Sequence, residues 1–398
     1  MGKNDKSGFH TVKSADHPDY EKQIKIHRRK IVRRTTLALA ILALLISGAW
    51  LFLSLHHYDD YEVINSVERA DTQGTRFEEF CGNILKYSND GAFYTDRDNE
   101  LIWNQTYEMS DPRLAMCDDY LTIYDRKGTM LYILTPAGLQ GSIETTMEIE
   151  QVCVATQGTV AVLMQKESTG YLALYDKNGN ILAQGAVHGE KGGYPIAIAL
   201  SYDALKLAVS MLDFNDGNVK TTIAFYNFGS VGQNVADHLV GATSFADLVV
   251  PEITFLSKDR MIALADTEIM IFEGTQNPQV TLEIPLAQQA KSVFYDTRYI
   301  GVVTMDSQES AGHHLIVYDE GGTVLMEHDI EMDYTDIGLL SSGEICIRNE
   351  NSCDIYTARG IYKFHADFDD TLYQILPGMT GLHYTFILSG ETKNVRLK

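Results

Sequence analysis

Two hydrophobic patterns divide the chain. From Thr35 to Leu55 the sequence TTLALAILALLISGAWLFLSL carries no ionisable side chain. As a helix rising 1.5 Å per residue, this stretch spans roughly 30 Å, the thickness of a bilayer's hydrocarbon core. Past residue 60 the pattern changes to short runs rich in Val, Ile, Leu, Tyr and Phe, punctuated by Gly, Asn and Asp. No long stretch there has helical periodicity, and the grammar is that of strands and turns in an all-β chain.

The strands repeat. One unit is an apolar strand, a loop, a second strand ending in a bulky residue, a polar turn and a final strand. Clear copies are YLALYDKNGNILAQG (171–185) and LIVYDEGGTVLMEH (315–328). The bulky landmark falls at Tyr94, Ile133, Tyr175, Tyr226, Phe272, Tyr318 and Tyr356, with gaps of 39, 42, 51, 46, 46 and 38. Each is preceded by another apolar strand, from NILKYS (83–88) to EICIRN (344–349), and an eighth such strand is HYTFILS (383–389). Four strands in each repeat of this length are the signature of β-propeller blades. The count predicts eight blades, with seven as the alternative if a terminal unit is degenerate. The last blade has only three strands after residue 370, so EVINSVER (62–69) is expected to supply its outer strand and close the ring.

Strands of a blade turn at alternate ends, which gives the propeller two unlike faces. The turns after the landmarks read as tight. The longer segments QKESTG (165–170), HGEKGGYP (188–195), LDFNDGN (212–218), GQNVADHLVGATSFADLV (232–249) and MDSQESAGHH (305–314) are all assigned to the other face. A binding site is expected there or at the mouth of the channel.

The flanks of the apolar segment orient it. Lys25, Arg28, Arg29, Lys30, Arg33 and Arg34 precede it, and the aromatic, acidic HHYDDYE follows. Basic residues stay on the cytoplasmic side, so the reading is N-terminus inside and C-terminal domain outside, with Trp50 and Tyr58 at the interfaces. A cleaved signal peptide is the competing reading, because Ser47-Gly48-Ala49 resembles a cleavage triplet. The 34 residues before the apolar run, and the length of the run itself, favour a retained anchor. The expected organisation is a disordered basic tail at 1–34, a transmembrane helix at 35–55 and an extracytoplasmic propeller at 60–398.

Charge sharpens the picture. The tail holds ten Lys and Arg against four Asp and Glu, which leaves 22 basic and 50 acidic residues beyond it, a net of −28. A surface this acidic repels nucleic acid and anionic headgroups. Five cysteines, an odd number, leave at least one outside any intrachain disulfide. Cys346 and Cys353 flank a hairpin and are expected to face each other, close enough for a disulfide. Cys81, Cys117 and Cys153 recur every 36 residues and read as small side chains packed near the blade interior.

Chemistry is scarce. No phosphate-binding loop, nucleophile elbow, zinc helix or dinucleotide fingerprint is present. Asp96, Asp98 and Glu100, and likewise Asp213, Asn215 and Asp216, lack the terminal Glu of a calcium loop and read as turns. The pairs His56-His57 and His313-His314 lack the companions a metal site needs. No catalytic, metal-binding or cofactor-binding residue is nominated, no cofactor is expected, and the binding residues are unassigned.

With these pieces placed, the chain resembles an uncharacterised family of Gram-positive bacterial single-pass membrane proteins, domain of unknown function 5711. The likeness lies in the anchor, YEVINSVERADTQGT (61–75), GNILKYSNDGAFYTD (82–96), IWNQTYEM (102–109), GLQGSIETT (138–146), LKLAVS (205–210) and IAFYNFGSVGQN (223–234). The resemblance implies a bacterial cell-surface propeller and no established activity. LSYDALKLAVS (200–210) is also similar to strands of TolB-like and WD40-like propellers, although Ser201-Tyr202-Asp203-Ala204 departs from their usual turn. The leading expectation is a membrane-anchored binding or scaffolding module at the cell envelope, with an envelope protein or wall partner on the long-loop face. A ligand-sensing ectodomain and a propeller hydrolase acting on glycans or peptides are the alternatives.

Overall fold

Leu and Ala, both strong helix formers, dominate the apolar segment, and it lies within one helix, Tyr20–Leu55. The hydroxyls of Thr35 and Thr36 donate to the carbonyls of Val32 (2.9 Å) and Arg33 (3.1 Å), which satisfies them within their own helix. Lys25–Gly48 is long and apolar enough to cross a membrane, a test that a signal sequence near the N-terminus also meets. The structure, a computed structural model, describes residues 20–398 except 73, 168, 215–216 and 306–311. It divides into two compact units, one ending at His56 and the other running from His57 to Lys398.

The second unit is an eight-bladed β-propeller of eight four-stranded antiparallel sheets. Blades one to seven occupy 76–106, 112–144, 148–188, 194–246, 252–285, 290–330 and 336–367. Blade eight takes three strands from 372–397 and its outermost strand from Tyr61–Glu68. We letter the strands of a blade a to d outward; the a strands surround the channel and touch directly at five of the eight boundaries between blades. Closure follows the expected plan: Tyr61–Glu68 runs antiparallel to Glu391–Leu397, with Tyr61 opposite Leu397 and Glu68 opposite Glu391.

The landmark residues acquire a structural meaning. In all seven blades that carry one, the register between strands c and d shifts at the landmark or immediately beside it. A bulge there bends the outer strand and increases its twist, and the bulky side chain is buried in six of the seven blades and half-buried at Tyr226. Tyr94, for example, is 1% exposed and stacks on Trp103 at 5.2 Å. Neighbouring blades share these cores, as where the Phe225 and Phe272 rings meet at 5.4 Å across blades four and five.

Two expectations are corrected. Cys346 and Cys353 do not face each other: Cys346 lies opposite Ile355 and Cys353 opposite Arg348. They are diagonal neighbours in one apolar cluster, and both are free thiols. The segment 232–249 is not one loop. Its middle is outer strand Leu239–Ala246, and its beginning belongs to the c–d connection of blade four, with short 3-10 turns at Gly232–Asn234 and Ala236–His238. That connection lies on the face of the tight turns, so this face is not plain throughout. A Cβ on Gly232 would fall 1.5 Å from the Asn227 carbonyl oxygen, so only glycine lets the insert double back there.

Candidate functional site

The a–b and c–d connections form one face of the ring, the turn face; the b–c and d–a connections form the other, the loop face. Between them the a strands build the channel wall. Two hollows open along this wall. One, of about 540 Å³, lies against blades two to six and is lined by Gln151, Cys153, Tyr202, Glu252 and Tyr295 among others. The second, of about 460 Å³, lies against blades seven, eight and one and includes Glu78, Glu79, Asp336, Arg348 and Gln374.

Their polar groups are tied across blade boundaries. Tyr295 Oη donates to Glu252 Oε1 at 2.6 Å, joining blades six and five. Burial, and then the facing Glu252, push the Tyr295 phenol well above its ordinary range, so it remains a donor. The Gln151 side chain accepts from the Ile198 amide (2.8 Å) and donates to the Ile198 carbonyl (3.2 Å), joining blades three and four. Arg348 pairs with Asp336 at 2.7 Å and donates to the carbonyl of Tyr373 in blade eight. Near this pair, burial raises the Glu78 carboxyl, opposed by Arg348 and reinforced by Asp336. Burial also raises Glu79, against a hydrogen bond from Ser341 and the charge of Arg97. The wall is therefore acidic and braced, with Arg348 as a fixed cation in its second hollow.

The thiols bordering the channel are held protonated. Burial pushes Cys117 and Cys153 up to about 12, and Cys81 to about 11 with added repulsion from Asp119. The 36-residue spacing brings each to the turn-face end of an a strand but not to one register position: Cys81 follows Arg76–Phe80, Cys117 ends Pro112–Cys117, and Cys153 lies one residue inside Glu148–Val154. Cys117 is buried and Cys153 half-buried, whereas Cys81 is exposed in the a–b turn of blade one at φ 48°, contrary to the packed interior expected for it.

The other candidate groups scatter. Asp96 caps its own c–d turn, accepting the amides of Asp98 and Glu100 at 3.0 and 2.8 Å. On the loop face, His314 pairs with Asp329 at 2.6 Å, and Lys291 Nζ lies 2.8 Å from His313 Nε2. Burial, then the Lys291 charge, lowers the His313 pKa against Asp333. Asn215, Asp216 and residues 306–311 lie outside the described residues. Among the described residues, no three His, Cys, Asp or Glu side chains come together as a metal site would need. The inter-blade ties were missed because their partners are far apart in sequence. Their available signal was a carboxylate inside or heading a short inner strand, as in RFEEF, EITF and DIGL.

Known structures share the architecture. BamB from Moraxella catarrhalis superposes with a TM-score of 0.51 and 12% identity, covering 85% of this chain and 100% of that one. Sqt1 from Saccharomyces cerevisiae gives 0.49 and 10%, covering 86% and 99%. At such identities the likeness is one of fold. No curated protein matches in sequence. Residues 54–397, the propeller and the few residues before it, match a family of unknown function, and the chain belongs to that family, DUF5711.

Proposed function

We propose that this chain is a binding or scaffolding module of the bacterial cell envelope, held in the cytoplasmic membrane by its N-terminal helix with the propeller outside. The observation that carries the reading is continuity: only five residues, 56–60, lie between the end of the apolar segment at Leu55 and Tyr61, where the strand that closes the ring starts. Six cationic residues before the segment and HHYDDYE after it support the orientation. The eight-bladed fold, shared with BamB, supports a binding role, because a closed ring offers a rigid platform for loops. The polar groups of the channel are engaged across blades, Tyr295 with Glu252, Gln151 with the Ile198 backbone and Arg348 with the Tyr373 carbonyl, as braces are.

The partner site is placed on the loop face. Tyr194 and Phe214, in blade four, stand exposed there at 39% and 58%, and aromatic side chains anchor protein interfaces. Crosslinking the full chain in intact cells, followed by capture, is expected to recover an envelope protein or wall polymer. Tyr194→Asp and Phe214→Asp together should reduce that recovery at least fivefold while leaving chain abundance unchanged. Recovery of no partner, alongside turnover of a glycan by the purified chain, would sink the reading.

A further inference from the structure

We propose that the turn face is a lipid-contacting face, its rim of exposed apolar side chains lying in the interfacial layer of the membrane. This rests on the reading that the N-terminal helix is a retained anchor. Each outer strand d starts at the turn face. In six blades it starts with, or one residue before, a large exposed apolar side chain: Leu101, Leu139, Ile181, Leu239, Val324 and Tyr362, each 36–58% exposed. Four of these strands end in a polar residue at the loop face, Thr106, Glu144, His188 and Asp367, and blade six ends at the buried Ile330. The asymmetry therefore belongs to the outer wall and recurs around the ring.

A second observation names the occupant. The chain joins the propeller at this same rim: the Tyr58 amide donates to the Lys363 carbonyl at 2.9 Å, and the His57 ring stacks on Tyr362 at 4.8 Å. The segment that would lie in lipid ends two residues before His57. Two further apolar side chains stand out from a–b connections of this face, Met379, fully exposed, and Leu205, 45% exposed. A compact protein partner would be met by one patch, whereas an apolar edge shared by six blades fits a broad, planar surface. The acids of the turn face include Asp96, Asp176 and Asp319, each spending an oxygen on the amides of its own turn. Arg97, Lys177, Lys258 and Arg298 stand among them. Exposed acids such as Asp98, Glu100, Asp118, Asp119 and Glu320 also stand on this face, so apolar contact carries the attraction against charge, and anionic lipid adds nothing.

The test uses the full chain reconstituted in phosphatidylcholine vesicles, with and without a lipid carrying a shallow spin-label quencher. Leu139→Trp and Ile181→Trp place reporters on the rim, and Phe214→Trp places one on the loop face. Quenching of both rim reporters at least twofold beyond the loop-face reporter is expected, and no stronger when a quarter of the lipid is phosphatidylglycerol. Rim reporters quenched no more than Phe214→Trp, in a chain that resists alkaline carbonate extraction, overturn the inference and leave the anchor standing. Blue-shifted but unquenched rim reporters also overturn it, by showing that protein or a second copy covers the rim. Release of the chain by carbonate overturns the anchor itself.

Discussion

The guanidinium of Arg69 is the most heavily used side chain at the seam where the ring closes. It donates to the carbonyls of Leu388 and Glu391 (both 2.8 Å) and to Thr392 Oγ1 (2.6 Å), pairs with Asp71 at 2.8 Å, and lies 4.8 Å over the Phe77 ring. One residue thus fastens the closing strand to blade eight and to the first strand of blade one. Removing one partner of a buried ion pair costs about 3 kcal/mol or more, because the other charge is left without it. Arg69→Met should therefore lower the unfolding free energy by about that amount, and the urea midpoint by that loss divided by an unchanged slope. Glu78 acts in the opposite sense. Its carboxyl is raised by burial, so the folded state holds this proton more tightly than the unfolded chain does. Its contribution to stability falls as pH rises from the ordinary carboxyl range through the raised folded value. Glu78→Gln is expected to be more stable than the parent at pH 7 and to lose that advantage at pH 4, as read by urea unfolding at both.

At the scale of the element, the closing strand is the test piece. Val67 lies opposite Thr392 within the ladder, two residues before Arg69, whose amide donates to the Gly390 carbonyl, so the Val67 amide faces the same partner strand. Proline at Val67 lacks that donor and is disfavoured by the strand backbone, so the closing pair weakens. With Val67→Pro, hydrogen exchange should accelerate first in Glu391–Leu397 and last in the blades opposite. Elements also show why some of the architecture was legible and some was not. The landmark residues stood out because a bulge needs a buried, bulky side chain beside a polar turn, and both leave marks in a few adjacent letters. Strand Leu239–Ala246, with the sequence LVGATSFA, left none. It is an outer strand with Gly241 and Thr243 half-buried and Ser244 exposed, so its composition is that of a loop. The register of Cys346 and Cys353 was misjudged because counting across a hairpin does not fix where the ladder starts. The channel braces were invisible for a different reason: Tyr295 and Glu252 are 43 residues apart, and nothing local marks a pair that only ring geometry brings together.

For the whole molecule, the seam orders events in time. Ser66 and its hydrogen-bond partner Glu391 are 325 residues apart in sequence. During synthesis the closing strand is made before any blade, and its partner only after seven blades exist. Until then the strand has nothing to pair with, and blade eight has an open edge, a template for association with other chains. Contacts of such long range also slow folding, because the loop must be closed before it yields any stabilisation. Refolding from urea should accordingly show an early phase, with most strand signal regained, and a slower phase in which Arg69 and Glu391 become protected. A chain lacking residues 391–398 should show the first phase alone and aggregate. The seam that completes the eighth blade is thus the reason the half-made form needs guarding, and the interval before it shuts is set by the length of the chain.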